Sequence, residues 1–318
     1  MPTRAETLWA PQGLPTIQAF RWPNRTTYYK FGYGCGYFIK GEIHDFNHPE
    51  APVKKVNPAK QLQLFYDNLT FFKERAKEYG EVGPFIVVDD GSPIKVDLDQ
   101  VAELTDPHPL AYITFPHNGG VGMKEHVVQV ALASVTDYII RWDVDIKMDP
   151  FPLRSFLMAF KEDIPDAWVI APCITYFARL YEASLAPDVR YFSGANLADM
   201  ACFRSEVFRR VGYSDPFCKV NNDGELRLRA LGALGWKCYV DRTLTGKARP
   251  SGAGSGTDKR IIVGEHLKET RPWLQVVFPE GKGTFRLSLN KKRAAEAKET
   301  NIAPNTWACE VRDTLWDL

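Results

Sequence analysis

Tyr138-Ile139-Ile140-Arg141-Trp142-Asp143-Val144-Asp145 joins a short apolar run to two acids placed one residue apart. Residues 137–142 have the length and composition of a strand buried on both faces. Residues i and i+2 of a strand face the same side, so Asp143 and Asp145 converge where this one ends. Like charges held together cost free energy unless a cation neutralises them. Hard divalent cations prefer carboxylate oxygens, and Mn2+ or Mg2+ commonly share their shell with substrate phosphates. The pair is therefore a candidate site for Mn2+ or Mg2+ with a phosphate-bearing ligand. The plainer reading of the triplet is a solvated loop, and the buried strand before it argues against that.

Strands and helices alternate on both sides of this segment. Residues 61–79 carry Leu62, Phe65, Leu69 and Phe72 at a helical period. Residues 84–88 form a buried strand that stops at the turn Asp89-Asp90-Gly91-Ser92-Pro93. A short helix over 97–104 and a second strand over 110–115 follow, the latter closing at Pro116-His117-Asn118-Gly119-Gly120. Residues 123–134 read as a helix. Asp149 as N-cap and Pro150 predict a helix over 151–160, and 167–171 predict another strand. This alternation predicts an α/β fold: right-handed βαβ units, a mainly parallel twisted sheet and helices on both faces. In such sheets ligands bind beyond the carboxyl ends of the strands. The polar groups there are Asp89-Asp90, His117-Asn118 and Asp143-Val144-Asp145. Farther on, the pattern predicts a turn at Ser193-Gly194-Ala195-Asn196, helices over 204–211 and 222–234, and a short strand over 237–240. Residues 246–259, with four glycines and two serines, predict a mobile loop.

Composition narrows the class. The chain has 318 residues, 45% hydrophobic and 25% charged, which excludes a disordered, collagenous or coiled-coil protein. No apolar run approaches the ~18 residues of a membrane span, and Met1 to Glu6 lack a secretory apolar stretch. Six scattered cysteines without a CxxC pair read as free thiols, so the expected location is cytoplasmic. The net charge of +1 conceals an imbalance: residues 247–298 hold twelve basic against five acidic side chains. A basic segment of this kind suits an anionic partner, although Lys291 to Lys298 also suit a solvated helix face. Residues 21–37 are rich in aromatics, with Gly32, Gly34 and Gly36 interleaved.

Two further acidic groups have both a chemical and a plain reading. Asp89 and Asp90 can accept hydrogen bonds from a nucleobase or ribose, or simply cap a turn. Asp223 and Glu225, in Asn222-Asp223-Gly224-Glu225-Leu226, can supply a general base or merely favour a helix N-terminus.

Val87 to Ser92, Asn118 with Gly119, Gly120 and Gly122, Asp143-Val144-Asp145, Ser193 to Asn196 and Asn222 to Leu226 follow one another as in a known family. Together they resemble the GT-A-fold glycosyltransferases of the large family-2 type, over roughly residues 85–240. The resemblance implies a donor site in which Asp89 and Asp90 contact the base and ribose. Asn118, Lys124 and Asp143 would also hold the donor. Asp145, with Asp143, would bind Mn2+ or Mg2+ on the diphosphate, and His266 would complete the metal shell. Asp223 would be the base of an inverting displacement. Here the base motif is Asn222-Asp223 rather than two acids. The QxxRW motif of processive members is absent, with only Arg271-Pro272-Trp273 resembling its end, so a single transfer is expected. Residues 14–20 are the candidate opening strand, and 21–60 read as an insertion after it. The expected division is an N-terminal segment (1–83), a catalytic core (84–245) and a basic extension (246–318). The donor would be a nucleotide diphosphate sugar. The acceptor would be a glycan, a lipid-linked or protein hydroxyl, or a hydroxylated nucleic-acid base. A sugar nucleotidyltransferase is the alternative, without its Gly-rich, Lys-bearing N-terminal loop. A non-catalytic binding module of the same fold is another.

Overall fold

The computed structural model describes residues 13–23, 27–43, 54–55, 57–174, 189–193, 200–218, 222–248, 257–280 and 285–317. Ten strands form one sheet. In chain order they are β1 (Thr16–Phe20), β2 (Tyr29–Tyr37), β3 (Phe85–Asp89), β4 (Leu110–Thr114), β5 (Thr136–Trp142), β6 (Ile146–Met148), β7 (Ala167–Ile174), β8 (Tyr191–Ser193), β9 (Met200–Arg204) and β10 (Lys237–Ala248). Their spatial order is β1-β4-β3-β2-β5-β9-β7-β10-β8, with β6 paired to β10. The centre, β4-β3-β2-β5, is parallel throughout. Antiparallel strands flank it, β1 on one side and β9 on the other. The helices are α1 (Pro58–Tyr79), α2 (Leu98–Thr105), α3 (Val121–Ala133), α4 (Arg154–Met158), α5 (Ser205–Val211), α6 (Asn222–Leu234), α7 (Thr257–Thr270) and α8 (Thr306–Trp316). A hairpin of β11 (Leu274–Val277) and β12 (Arg286–Leu289) follows α7.

Side chains alternate across the sheet as its pleat requires. Phe85 and Val87 enter one core with Phe65, Leu69 and Phe72 of α1. Ile86 and Val88 enter the other, with Val127 and Val128 of α3, Val207 of α5 and Val311 of α8. The α/β architecture with helices on both faces is thus realised around a parallel centre.

The opening strand differs from expectation. Residues 16–20 form an edge strand antiparallel to β4, whereas Tyr29–Tyr37, inside the supposed insertion, lies in the middle of the sheet between β3 and β5. The reason is a two-residue alternation of large and absent side chains. Phe31, Tyr33, Cys35 and Tyr37 fill the α1-side core. Gly32, Gly34 and Gly36 face α3 at a separation no side chain would allow. A Cβ at each would lie 2.9 Å from Leu132, 2.3 Å from Val128 and 2.5 Å from Lys124, respectively. Those three α3 residues are four apart. Four helical residues rise about 6.0 Å and two strand residues about 6.6 Å, so glycine steps and helical steps stay in phase.

Three other expectations are corrected. The helix expected over 151–160 begins only at Arg154, and Asp149 does not cap it; Asp149 accepts a hydrogen bond from Thr245 Oγ1 at 2.6 Å. The strand at 237–240 runs on to Ala248, because Gly246–Ala248 pair with β6. The segment expected as a loop over 246–259 therefore begins as strand and ends as helix α7, while 249–256 lie outside the described residues. So does most of the turn expected at Ser193 to Asn196. Among the described residues no helix is long and apolar enough to cross a membrane.

Candidate functional site

The parallel strands end together. Tyr37, Asp89 and Thr114 are register partners at the carboxyl ends of β2, β3 and β4, and Cys35 is level with Trp142 of β5. Asp143 follows Trp142 directly, and the stem of Lys124 crosses Gly36, the residue after Cys35. Asp143, Lys124 and the ends of four strands thus share one edge of the sheet.

Asp143 is the most perturbed acid of this edge. Its side chain keeps 28% of its exposure, and Arg141 Nη2 donates to its Oδ1 at 3.0 Å. Arg141 is itself buried and donates from Nε to Glu125 Oε1 of α3 at 2.5 Å. Loss of water around the Asp143 carboxyl pushes its pKa up to about 7. Arg141 and Lys124 pull against that rise, while Asp145 and Glu125 add to it. Asp145 is half-buried. The structure therefore brings Asp143, Asp145 and Lys124 together, and adds Arg141 and Glu125, which sequence reasoning passed over. A signal for Arg141 was present: a charge within an otherwise apolar strand needs a buried partner.

Asp89 and Asp90, expected to contact the donor, are buried and hydrogen-bonded to the loops around them. They are 0% and 1% exposed. Asp89 accepts from the Ser92 N–H at 2.7 Å and from Lys95 Nζ at 2.7 Å. Asp90 accepts from the N–H groups of Gly119 and Gly120 at 2.7 and 3.0 Å. Gly91, with φ +72, lies so close to the His117 backbone that a Cβ would come within 2.5 Å of its carbonyl carbon. The two carboxylates and this glycine tie the loop after β3 to the loop that opens α3. They hold these two loops together at the edge. Asn118 is half-buried in that second loop.

His266 also differs. It lies on α7, 3% exposed, and its Nε2 donates to Asp215 Oδ2 at 3.0 Å. Among the described residues no group of three or more His, Cys, Asp and Glu side chains is placed to hold a metal ion, so His266 does not join Asp143 and Asp145 in one. His266 belongs instead to a buried ionic network. Arg271 donates to Asp215 Oδ2 at 3.0 Å and to Glu225 Oε1 at 3.3 Å. Glu225 pairs through both oxygens with Arg229, each at 3.0 Å. Burial alone would raise the Asp215 pKa, but His266, Arg271 and the Phe217 N–H hold it down at about 2. This network anchors the first turn of α6, where Asp223 sits; the Asp223 side chain lies outside the described residues. Glu225 is thereby structural, and Arg271-Pro272-Trp273 gains a role: Trp273 is buried in the core beneath β11 and β12 while Arg271 bridges two carboxylates.

No family model matches this chain, and no curated protein matches it. Solved structures do. GalNAc-T7, with UDP, GalNAc and Mn2+, is 11% identical over 77% of this chain and 48% of its own, with a TM-score of 0.52; the matched region is about half of that protein. Mannosyltransferase PcManGT from Pyrobaculum calidifontis, with GDP-Man and Mn2+, is 14% identical over 98% of this chain and 79% of its own, with a TM-score of 0.48. Glucosyl-3-phosphoglycerate synthase from Mycobacterium tuberculosis, with Mn2+, UDP and glucosyl-3-phosphoglycerate, is 12% identical over 82% and 86%, with a TM-score of 0.41.

Proposed function

The chain has the GT-A fold, and from that premise we propose that it transfers a single sugar from a nucleotide diphosphate sugar to an acceptor hydroxyl, with inversion. The observation that carries this reading is the charged edge itself. Asp143 and Asp145 stand at the end of β5, with Lys124 and the glycine-opened N-terminus of α3 beside them. Helix N-termini and lysines favour phosphate oxygens.

The oxygen-only donor pair fits a hard divalent cation. Such ions are often held by one or two carboxylates, with the rest of the shell from substrate phosphates and water. Asp145 and Asp143 would hold Mn2+ or Mg2+. When bound, the ion would supply electrostatic stabilisation of the diphosphate leaving group. The chain's own residues do the rest. Lys124 would place its ammonium against the same diphosphate, adding fixed positive charge where negative charge develops. Asn118 would meet the donor from the loop clamped by Asp90. Asp223, in the first turn of α6, would take the proton from the acceptor hydroxyl as that oxygen attacks. Glu225, Arg229 and Arg271 keep that turn fixed.

A donor screen tests the proposal: release of nucleoside diphosphate from UDP-, GDP- and other nucleotide sugars, with Mn2+ or Mg2+, in the presence of candidate acceptors. Release with one donor class, lost in excess EDTA, is the expected result. No release or binding of any nucleotide sugar, with either metal, would overturn it.

A further inference from the structure

Asn68 is a polar residue in an apolar place. It lies within the buried stripe of α1, among Leu64, Phe65, Leu69 and Phe72, and is 3% exposed. A buried amide costs free energy unless it is hydrogen-bonded, and an apolar side chain at this position would have no such group to satisfy. The Asn68 Nδ2 donates to the carbonyl oxygen of Ile146 at 3.0 Å, across 78 residues of chain. Ile146 follows Asp145 directly and opens β6. The turn from β5 into β6 gives this bond a use. Val144, Ile146 and Met148 are buried in the same core as α1, whereas Asp143, Asp145 and Lys147 alternate with them and keep part of their exposure. β6 is paired to β10 and not to β5, so the chain leaves the parallel centre of the sheet within this turn. Apolar contacts at 144, 146 and 148 set how deep the turn sits but are non-directional. A hydrogen bond to a carbonyl has a direction, and it fixes the orientation of the peptide that accepts it.

We propose that Asn68 is a positioning residue for Asp145. Reaching across from α1, its amide pins the backbone just past Asp145 and so fixes where that carboxylate stands at the edge of the sheet. The inference rests on the donor-site reading above, in which Asp145 holds the divalent cation. It goes beyond that reading in extending the site's support to a helix some eighty residues upstream, whose other buried side chains belong to the core. Groups that orient a metal-binding carboxylate act through its placement, so the loss of this amide is felt in cation-dependent binding more than in stability.

The test compares the purified full chain with Asn68→Leu, Asn68→Ala and Leu69→Ala. Calorimetry reads the affinity for UDP and for GDP in the presence of Mn2+, and hydrogen exchange reads the amides of residues 144–148 without metal. Both Asn68 variants should bind the matching diphosphate about tenfold more weakly, the scale on which such orienting groups act. Both should also exchange severalfold faster over 144–148. Leu69→Ala, in the same core, should lower the urea midpoint at least as far and leave that affinity nearly unchanged. A merely structural residue would not separate the two readouts in this way. If Asn68→Leu does not fold, Asn68→Ala, which removes the same donor without adding bulk, decides. Wild-type affinity in the Asn68 variants, or an equal loss of affinity in Leu69→Ala, would overturn the inference and leave the donor-site reading intact. A wild type that binds neither diphosphate with Mn2+, or binds one equally well in excess EDTA, would overturn both.

Discussion

Gly34→Ala probes the glycine face of β2 most directly. A methyl group there would lie 2.3 Å from Val128 Cγ1. Apolar carbons rest about 3.5–4.0 Å apart, so at least ~1.2 Å must be recovered by moving α3 or β2. Both are packed on all sides, and Val128 is 1% exposed. Overpacking of this kind costs about 1–3 kcal/mol. Removing a glycine from a strand offsets about 0.5–1 kcal/mol of that. The expected net loss is therefore about 0–2.5 kcal/mol, read as a shift in the urea midpoint by tryptophan fluorescence. Val128→Ala alone should cost about 1.6 kcal/mol or more, for two buried methyl groups and the cavity left behind. In the double variant the new methyl occupies the space the valine vacated. Its loss should be smaller than the sum of the singles by at least ~1 kcal/mol. Additive effects would refute the idea that these glycines exist to admit α3.

Three further outcomes are expected. Asp145→Ala should lower donor turnover by ~10²-fold or more, with weaker Mn2+ dependence; undiminished activity in EDTA would exclude the metal role. Asp223→Asn should lower kcat by about 10²–10⁴-fold with donor affinity nearly unchanged, whereas collapse of donor affinity would make Asp223 a binding residue. Buried His126 has its pKa pushed down to about 4 by loss of water, as its Nδ1 donates to Ser214 O and its Nε2 accepts the Asn305 N–H. Its folded pKa lies below the ordinary 6.5, so its share of stability is complete above pH 6.5 and is lost as pH falls toward 4. About 2 kcal/mol should be gone by pH 5, and His126→Asn should flatten that slope in urea titrations at pH 5–7.

Much of this was legible in the residues because periodicity survives burial. Residues 85–88, 110–114 and 137–142 are apolar runs of strand length, and the acids at their ends mark the edge where the site lies. Tyr29–Tyr37 was illegible as a central strand because glycine lowers strand propensity and half its positions carry no side chain. Its meaning lies in Leu132, Val128 and Lys124, almost a hundred residues downstream. The partners of His266 and of Asp89-Asp90 were illegible for a different reason. Sequence shows that a polar group is available, and only the fold shows whether a neighbour has already claimed it. Asp215, Ser92 and the Gly119 and Gly120 amides had done so.

The packing of α8 also bears on how the chain comes to be folded during synthesis. Ala308, Val311 and Leu315 belong to the same core as α3. The Trp307 ring lies 5.8 Å from that of His126, tilted by 45°, and the Trp316 ring lies 5.3 Å from that of Trp22. The Asn305 N–H that caps His126 comes 179 residues after it. At a translation speed of about 5–20 residues per second, roughly ten to forty seconds pass between the emergence of these partners. During that interval the nascent sheet has one apolar wall without its cover, and anything that shields such surfaces on the ribosome has a defined window in which to act. Released chains truncated before residue 306 should bind an apolar dye that chains carrying residues 306–317 exclude.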